Sequence, residues 1–232
     1  MGPLGGRMIG DATFTGAFRF IVDNPHFLAV KALEQLELSG AALGVALAAA
    51  LPLGIVLGHL HRGSGLAIRA SIVGRALPSL VLIGVFLTIL GIGFVNNMVA
   101  LAVLATGPIL TNSYEAVEGV DRDAVEAARG MGMTHAQILT RIELPLALPL
   151  VFTGIRIAAV TVVATAPIAA IAGGGGLGDI IVNQASYRLE GVVGASLCVM
   201  VLAAAIYGML LAVQVAVTPR GVRSTTLPES PL

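Results

Sequence analysis

Long uncharged runs alternate with short charged stretches along this chain, and the runs set its elements. About twenty apolar residues, each rising about 1.5 Å in a helix, cross a hydrocarbon core of about 30 Å. Leu38 to Gly58 is one such run. Ala76 to Tyr114 holds 39 residues without a charge, enough for two crossings if the chain turns at Gly91-Ile92-Gly93 and Asn96-Asn97, the first of them starting near Leu66. Leu146 to Ala172, which carries Arg156, is a fourth run, and Gly191 to Pro219 a fifth. The pattern predicts an all-α membrane protein with five transmembrane helices, because helices satisfy their own backbone groups in lipid. Asn24-Pro25 reads as an N-cap followed by a proline at N1, so the first helix begins ahead of the bilayer and runs through Phe27, Val30 and Leu33. Residues 1–24, in which Asp11 and Asp23 bracket Phe14, Phe18 and Phe20, suit an interfacial segment. Residues 25–217 form the membrane domain and 218–232 a tail. Met1 to Glu37 offers no apolar stretch of useful length behind a basic start, so no signal peptide is expected and the first span does the targeting.

The charged interruption between Glu115 and Glu143 has its own internal order. Asp121 and Asp123 stand at an N-cap and in a first turn, where acids favour the helix dipole, and Arg122, Glu126 and Arg129 follow at helical spacing. Ala124 to Ala128 propagates that helix. Gly130 and Gly132 each lower helix propensity by about 1 kcal/mol and permit positive φ. Thr134 with Gln137 is a capping-box pair that restarts a helix up to Pro145. The expectation is helix, glycine bend, helix, a shape suited to docking; an amphipathic hairpin on the membrane surface would use the same residues.

Composition narrows the function classes. Hydrophobic residues make up 56% of the 232 and charged residues 11%, against about 25% charged in soluble domains; mean hydropathy is +0.94. A formal net charge of zero, with no basic run, gives no footprint for nucleic acid. Cys198, the only cysteine, lies in an apolar run and excludes a disulfide framework or a cysteine-based metal site. His59, His61 and Ser64 stand at a turn with no paired carboxylates facing them, which reads as a solvated loop and not a hydrolase site. Gly173, Gly175 and Gly178 satisfy G-x-G-x-x-G, but they follow a membrane helix and lack a Lys-Ser/Thr pair, so phosphate binding is not expected. Gly40, Gly44, Gly54 and Gly58 give two small-xxx-small steps for close helix contact. Pro52, Pro78, Pro108 and Pro167 fall inside the predicted spans, where they free carbonyls. Arg75 and Arg156 are the costly intramembrane charges, each facing water or carbonyls or reaching for the cytoplasmic surface.

Glu126-Ala127-Ala128, with Gly132 six positions after Glu126 and then Ile142, Leu144 and Pro145, resembles the EAA loop of permease subunits of bacterial ATP-driven (ABC) importers. The resemblance implies the type I, MetI-like permease fold, with residues 115–145 as a cytoplasmic coupling loop whose seven named positions dock a separate ATPase. Glu126 to Pro149 (EAARGMGMTHAQILTRIELPLALP) and Arg75 to Leu80 (RALPSL) are similar to permeases for compatible solutes such as glycine betaine, choline and carnitine. Gly173 to Asp179 (GGGGLGD) resembles a glycine-rich loop after the fourth span of methionine and osmoprotectant importers. On that likeness Pro78, Ser79, Arg75, Gly173, Gly176 and Gly178 are candidates for the translocation path or its gate. A methionine-type importer is the alternative substrate class, and an ATPase-independent channel a further one.

The resemblance also implies partners: two copies of an ATP-binding subunit, a second permease of the same or a homologous kind, an extracytoplasmic solute-binding protein, and membrane lipid. The chain has no P-loop, so ATP and magnesium are expected on the partner ATPase, with no cofactor or metal on the permease and no catalytic residue. With no Trp, and only Tyr114, Tyr187 and Tyr207 among tyrosines, an aromatic cage for quaternary ammonium is expected in the binding protein. If the EAA-like loop is cytoplasmic, Arg62, Arg69, Arg122, Arg129, Arg141, Arg220 and Arg223 lie on that side, against Arg7, Arg19, Lys31 and Arg188. The bias predicts a bacterial cytoplasmic membrane protein with its N-terminus outside and C-terminus inside.

Overall fold

The computed structural model describes residues 14–61, 65 and 78–218, and every regular element among them is helical. Residues 14–23 form α1. The others are α2 (Pro25–His59), α3 (Ser79–Leu90), α4 (Phe94–Glu118), α5 (Arg122–Gly130), α6 (His135–Ile138), α7 (Leu144–Thr165), α8 (Gly178–Val182) and α9 (Gln184–Val217). A π-helical turn, Leu139–Glu143, joins α6 to α7, and a 3-10 segment, Ala166–Ala172, prolongs α7.

Among the described residues four helical stretches are long and apolar enough to cross a membrane, where the sequence predicts five: Pro25–His59, Phe94–Glu118, His135–Ala172 and Gln184–Val217. The remaining candidate, α3, has 12 residues and at about 1.5 Å per residue spans little more than half of a 30 Å core. Its start is fixed by Pro78, extended at φ −63 and ψ 130, which stands as the N-cap and not inside a span. The expected beginning of that crossing near Leu66, and Arg75, lie outside the described residues. Pro167 likewise sits in the 3-10 segment and not inside an α-helix, whereas Pro52 and Pro108 are within α2 and α4.

The turn between α3 and α4 is made by Gly91 (φ 77) and Gly93 (φ 136), conformations open to glycine. Asn96 and Asn97 lie after it. Both are buried in the first turn of α4, and Asn97 Nδ2 donates to the Gly93 and Ala172 carbonyls at 2.9 and 3.1 Å. Asn24 behaves differently from the expected cap: its Nδ2 donates back to the Phe20 carbonyl at 3.0 Å and closes α1. Its own carbonyl accepts from Leu28 N–H and starts α2, with Pro25 at N1 where no amide hydrogen is needed. Helix α9 begins seven residues before Gly191 and is broken at Arg188 (φ 55, ψ 176).

The chain divides into two compact units. One comprises the described parts of 1–45, 77–105 and 159–206. Its core joins Leu28, Leu177, Ile180 and Ala195. Tyr187 stacks on Phe27 with ring centroids 5.9 Å apart and meets Phe20 edge-on at 6.5 Å. Phe14 and Phe18 are exposed while Ala17 is buried, so α1 is two-faced.

The other unit comprises the described parts of 46–76, 106–158 and 207–232, with Ala116, Val117, Ala147 and Val151 at its centre. Its helices touch through backbone. A Cβ on Gly54 would come within 2.8 Å of the Leu110 carbonyl oxygen, and one on Gly58 within 2.8 Å of that of Tyr114. Gly154 is similarly set, 2.9 Å from the Pro108 oxygen. Among the described residues Gly40 and Gly44 meet nothing within 4 Å, so there the second small-xxx-small step is the one that makes a close contact.

Candidate functional site

The charged interruption folds as two capped helices around a bend. The Asp123 amide donates to Asp121 Oδ1 at 3.0 Å, which satisfies one of the free N–H groups at the start of α5. At its other end the amides of Met131, Gly132 and Met133 return to the carbonyls of Ala127, Arg129 and Ala128. Gly132 takes φ +80, in the region favoured for glycine. Thr134 and Gln137 form the reciprocal box: the Thr134 amide donates to Gln137 Oε1 at 2.8 Å, and the Gln137 amide to Thr134 Oγ1 at 3.4 Å. With so many backbone groups engaged, the segment is a shaped body and not a slack connector.

The motif residues divide between two tasks. Glu126, Ala127 and Gly132 are exposed, next to Met131, which is 73% exposed. Ala128, 1% exposed, faces inward with Ile138, while Ile142, Leu144 and Pro145 are half-buried. The outer surface therefore comes from the first two and the bend, and the other four positions seat the element on its unit. Glu126 also lines a cavity of about 270 Å³ with Arg122, Arg129, Glu143, His61 and apolar side chains.

His59 departs from the expected solvated loop. Its Nδ1 lies 2.6 Å from Glu143 Oε2, the two side chains being 14% and 4% exposed. The His135 ring meets the His59 ring edge-on at 5.8 Å. The signal in the sequence was Glu143 itself, a carboxylate inside an otherwise apolar I-x-L-P stretch, which needs a partner once buried.

The glycine loop belongs to the other unit. Gly173, Gly175 and Gly176 have φ of 74, 69 and 75. The Gly176 amide donates to Glu34 Oε2 at 2.9 Å, the same oxygen that accepts from Lys31 Nζ at 2.9 Å, and Lys31 also reaches Asp179 Oδ2 at 2.8 Å. Gly173 and Gly174 donate to the Ala170 and Ala169 carbonyls. These amides are engaged within the chain, and the charge facing them is a carboxylate, so the loop does not fit a phosphate. Gly178 opens α8 with Pro167 and Ala170 so close that no side chain fits. Ser79 opens α3 after Pro78. Gln35 Nε2 donates to the Val163 carbonyl at 3.0 Å, a buried tie that sequence spacing does not reveal. Gly176→Ala is expected to destabilise the protein by about 2 kcal/mol, from the left-handed φ and a Cβ placed 3.1 to 3.3 Å from Gln35; thermal unfolding in detergent, with Gly40→Ala as control, measures it.

Arg156, on α7, has its guanidinium carbon 5.2 Å from the Tyr207 ring centre, and Nη2 is 3.3 Å from Thr153 Oγ1. Among the described residues no carboxylate lies within ion-pair distance of it.

Residues 50–222 match the family described as "Binding-protein-dependent transport system inner membrane component". The chain belongs to that family. This permease is 34% identical over 206 residues to the choline transport system permease protein OpuBB of Bacillus subtilis (strain 168), covering 88% of this chain and 95% of the relative. It is 34% identical over 205 residues to the glycine betaine/carnitine/choline transport system permease protein OpuCB of the same organism, covering 88% and 94%. A solved inward-facing structure of the MetNI methionine ABC transporter superposes with a TM-score of 0.71 at 25% identity, covering 84% of the permease and 99% of that chain. The family match takes in both the capped element and the glycine loop, whereas the Lys31 and Glu34 anchors of that loop lie before it.

Proposed function

We propose that this permease is the membrane-spanning subunit of an ATP-driven importer for a compatible solute of the glycine betaine, choline or carnitine type. The observation that carries the mechanism is the exposed, doubly capped Glu126–Ala127–Gly132 surface, seated on its unit by Ala128, Ile142, Leu144 and Pro145. A surface of this kind transmits motion because it moves as one body. Two ATPase subunits, which bind ATP and magnesium, dock there. A second permease, identical or homologous, completes the path, and an extracytoplasmic binding protein delivers the solute. ATP binding carries the docked element and opens the paired helices outward; hydrolysis resets them. The names of the relatives support the solute class. Cells lacking this gene and its neighbours are expected to lose uptake of radiolabelled glycine betaine, choline or carnitine and to keep methionine uptake. The opposite pattern assigns the methionine class, the reading that the MetNI likeness favours.

In this reading the chain crosses five times, α3 lying in the outer part of the second crossing. The N-terminus lies outside and the C-terminus inside, in the bacterial cytoplasmic membrane. Pro78, Ser79, Arg75 and the glycine loop at Gly173, Gly176 and Gly178 line the path or its outer gate. Reporters fused after Arg62, within Asp121 to Gln137 and after Arg223 are expected to read as cytoplasmic, and those at Asn96 and Tyr187 as external. A cytoplasmic signal at Tyr187 overturns the five-span topology.

A further inference from the structure

Arg156 is the one charged residue between Glu143 and Asp179. It stands 12 residues after Leu144, the start of α7, or about 18 Å along the helix, and 16 before Ala172, where the apolar stretch ends. That depth is beyond what an arginine side chain covers by reaching for either surface. The guanidinium is held there without being neutralised. Its Nη2 lies 3.3 Å from Thr153 Oγ1, and Thr153 in turn donates to the Pro149 carbonyl at 2.9 Å, which also takes Gln214 Nε2 at 3.0 Å. Tyr207 of α9, 47% exposed, sets its ring centre 5.2 Å from the guanidinium carbon. A ring face attracts a cation but is no counter-ion. Nε is buried without a hydrogen-bond partner among the described residues, so most of the donors of the planar fork are left to a partner from outside them.

We propose that Arg156 is a solute subsite within the membrane domain: its guanidinium takes the carboxylate of a zwitterion in transit, so that this permease favours glycine betaine and carnitine over choline, which has no carboxylate. The inference rests on the importer reading above and names which of its solutes this residue serves. A charge at that depth is costly unless it faces water or an anion. The chain itself supplies no anion there. Residues 38–114, 144–178 and 191–228 hold no Asp or Glu, so a second permease of the same kind brings no carboxylate to the middle of the membrane either. Lipid phosphates stay at the surface, about 15 Å from the centre of a 30 Å core. The solute does pass that depth. A guanidinium fork and a carboxylate match in two parallel hydrogen bonds, a geometry that a hydroxyl does not reproduce. Thr153 and Tyr207 are positioning residues that hold the fork in place. A single charged contact beside a half-exposed ring also suits a path, which must release what it binds.

The test is uptake of radiolabelled glycine betaine, carnitine and choline by vesicles holding the permease with its ATPase and binding protein, the binding protein being saturated with each solute in turn. In Arg156→Gln the uptake of glycine betaine and carnitine relative to choline is expected to fall about tenfold, the low end for losing a hydrogen bond to a charged group. Arg156→Lys keeps the charge and loses the fork, and a fall of about threefold is expected; it carries the test where the Gln variant accumulates poorly. Where the wild type does not carry choline, solute moved per ATP hydrolysed replaces the ratio and is expected to fall by the same factors. The proposal is overturned if the three solutes fall together, which assigns Arg156 to helix packing or to the second permease. It is equally overturned if Arg156→Gln keeps the wild-type ratio. If the wild type carries methionine and none of the three, the solute class proposed above falls, and the subsite is read from methionine, also a carboxylate, per ATP hydrolysed; an unchanged value overturns it there too.

Discussion

Gly132→Asp is expected to abolish solute uptake while leaving membrane insertion and permease pairing intact. The bend residue has φ +80, and a Cβ built there meets nothing within 4 Å. Within the chain the substitution therefore costs only the left-handed backbone, about 1 kcal/mol, and Asp tolerates that region better than most residues. The larger effect lies outside the chain. Gly132 sits beside exposed Met131, after Glu126 and Ala127, on the face proposed to dock the ATPase. If the ATPase docks there, an added carboxylate intrudes on the interface, and a disruption at the centre of an interface costs about 2 kcal/mol or more, near thirtyfold in affinity. Gly132→Ala, which strains the same backbone with one methyl, is expected to retain most uptake. Glu126→Lys is expected to fall between the two. Copurification of the ATPase with each variant, beside uptake at matched expression, measures both consequences. Normal uptake by well-expressed Gly132→Asp would falsify the coupling assignment, since exposed changes on an ordinary connector stay within about 0.5 kcal/mol.

The capped element was legible because its signals are local. Asp121, the Gly132 bend and the Thr134–Gln137 box each specify backbone geometry within four residues, and each is present in the fold. The run lengths located the four long helices and the glycine turn at 91–93 for the same reason: an uncharged stretch reports the solvent along it. What spacing could not reveal depends on partners distant in sequence. Asn97 reads as a turn residue until its amide is seen to satisfy the Ala172 carbonyl, 75 positions away. His59 reads as a loop residue until Glu143, 84 positions on, is rotated toward it by the π-helical turn. Lys31 and Glu34 look like an ordinary helix pair, yet they hold Asp179 and the Gly176 amide. A twelve-residue α3 was also invisible, because an apolar run does not record where a proline starts the helix.

Replacing Gly58 by Leu is expected to remove the protein from the membrane, where the same change at Gly44 does not. Both glycines stand in α2 and both fit the small-xxx-small pattern, so sequence gives them equal standing. Their surroundings differ. A Cβ on Gly58 would lie 2.8 Å from the Tyr114 carbonyl oxygen and 2.9 Å from the Val117 Cβ, contacts made to helix backbone and to an atom at the root of a side chain, neither of which can swing aside. The helices must separate, which loosens the packing of Leu51 and Ile55 against Ala116 and Val117. Overpacking of a close-fitted core costs about 1 to 3 kcal/mol, and in a bundle held by dispersion between near backbones the upper end of that range applies. Gly54→Leu should behave alike, since Leu110 and Ser113 stand as close. At Gly44 none of the described residues lies within 4 Å, so a leucine adds no collision with them. Steady-state amount in the membrane and melting temperature in detergent distinguish the two outcomes. Equal yields and melting temperatures for Gly58→Leu and Gly44→Leu would refute the packing of α2 on α4.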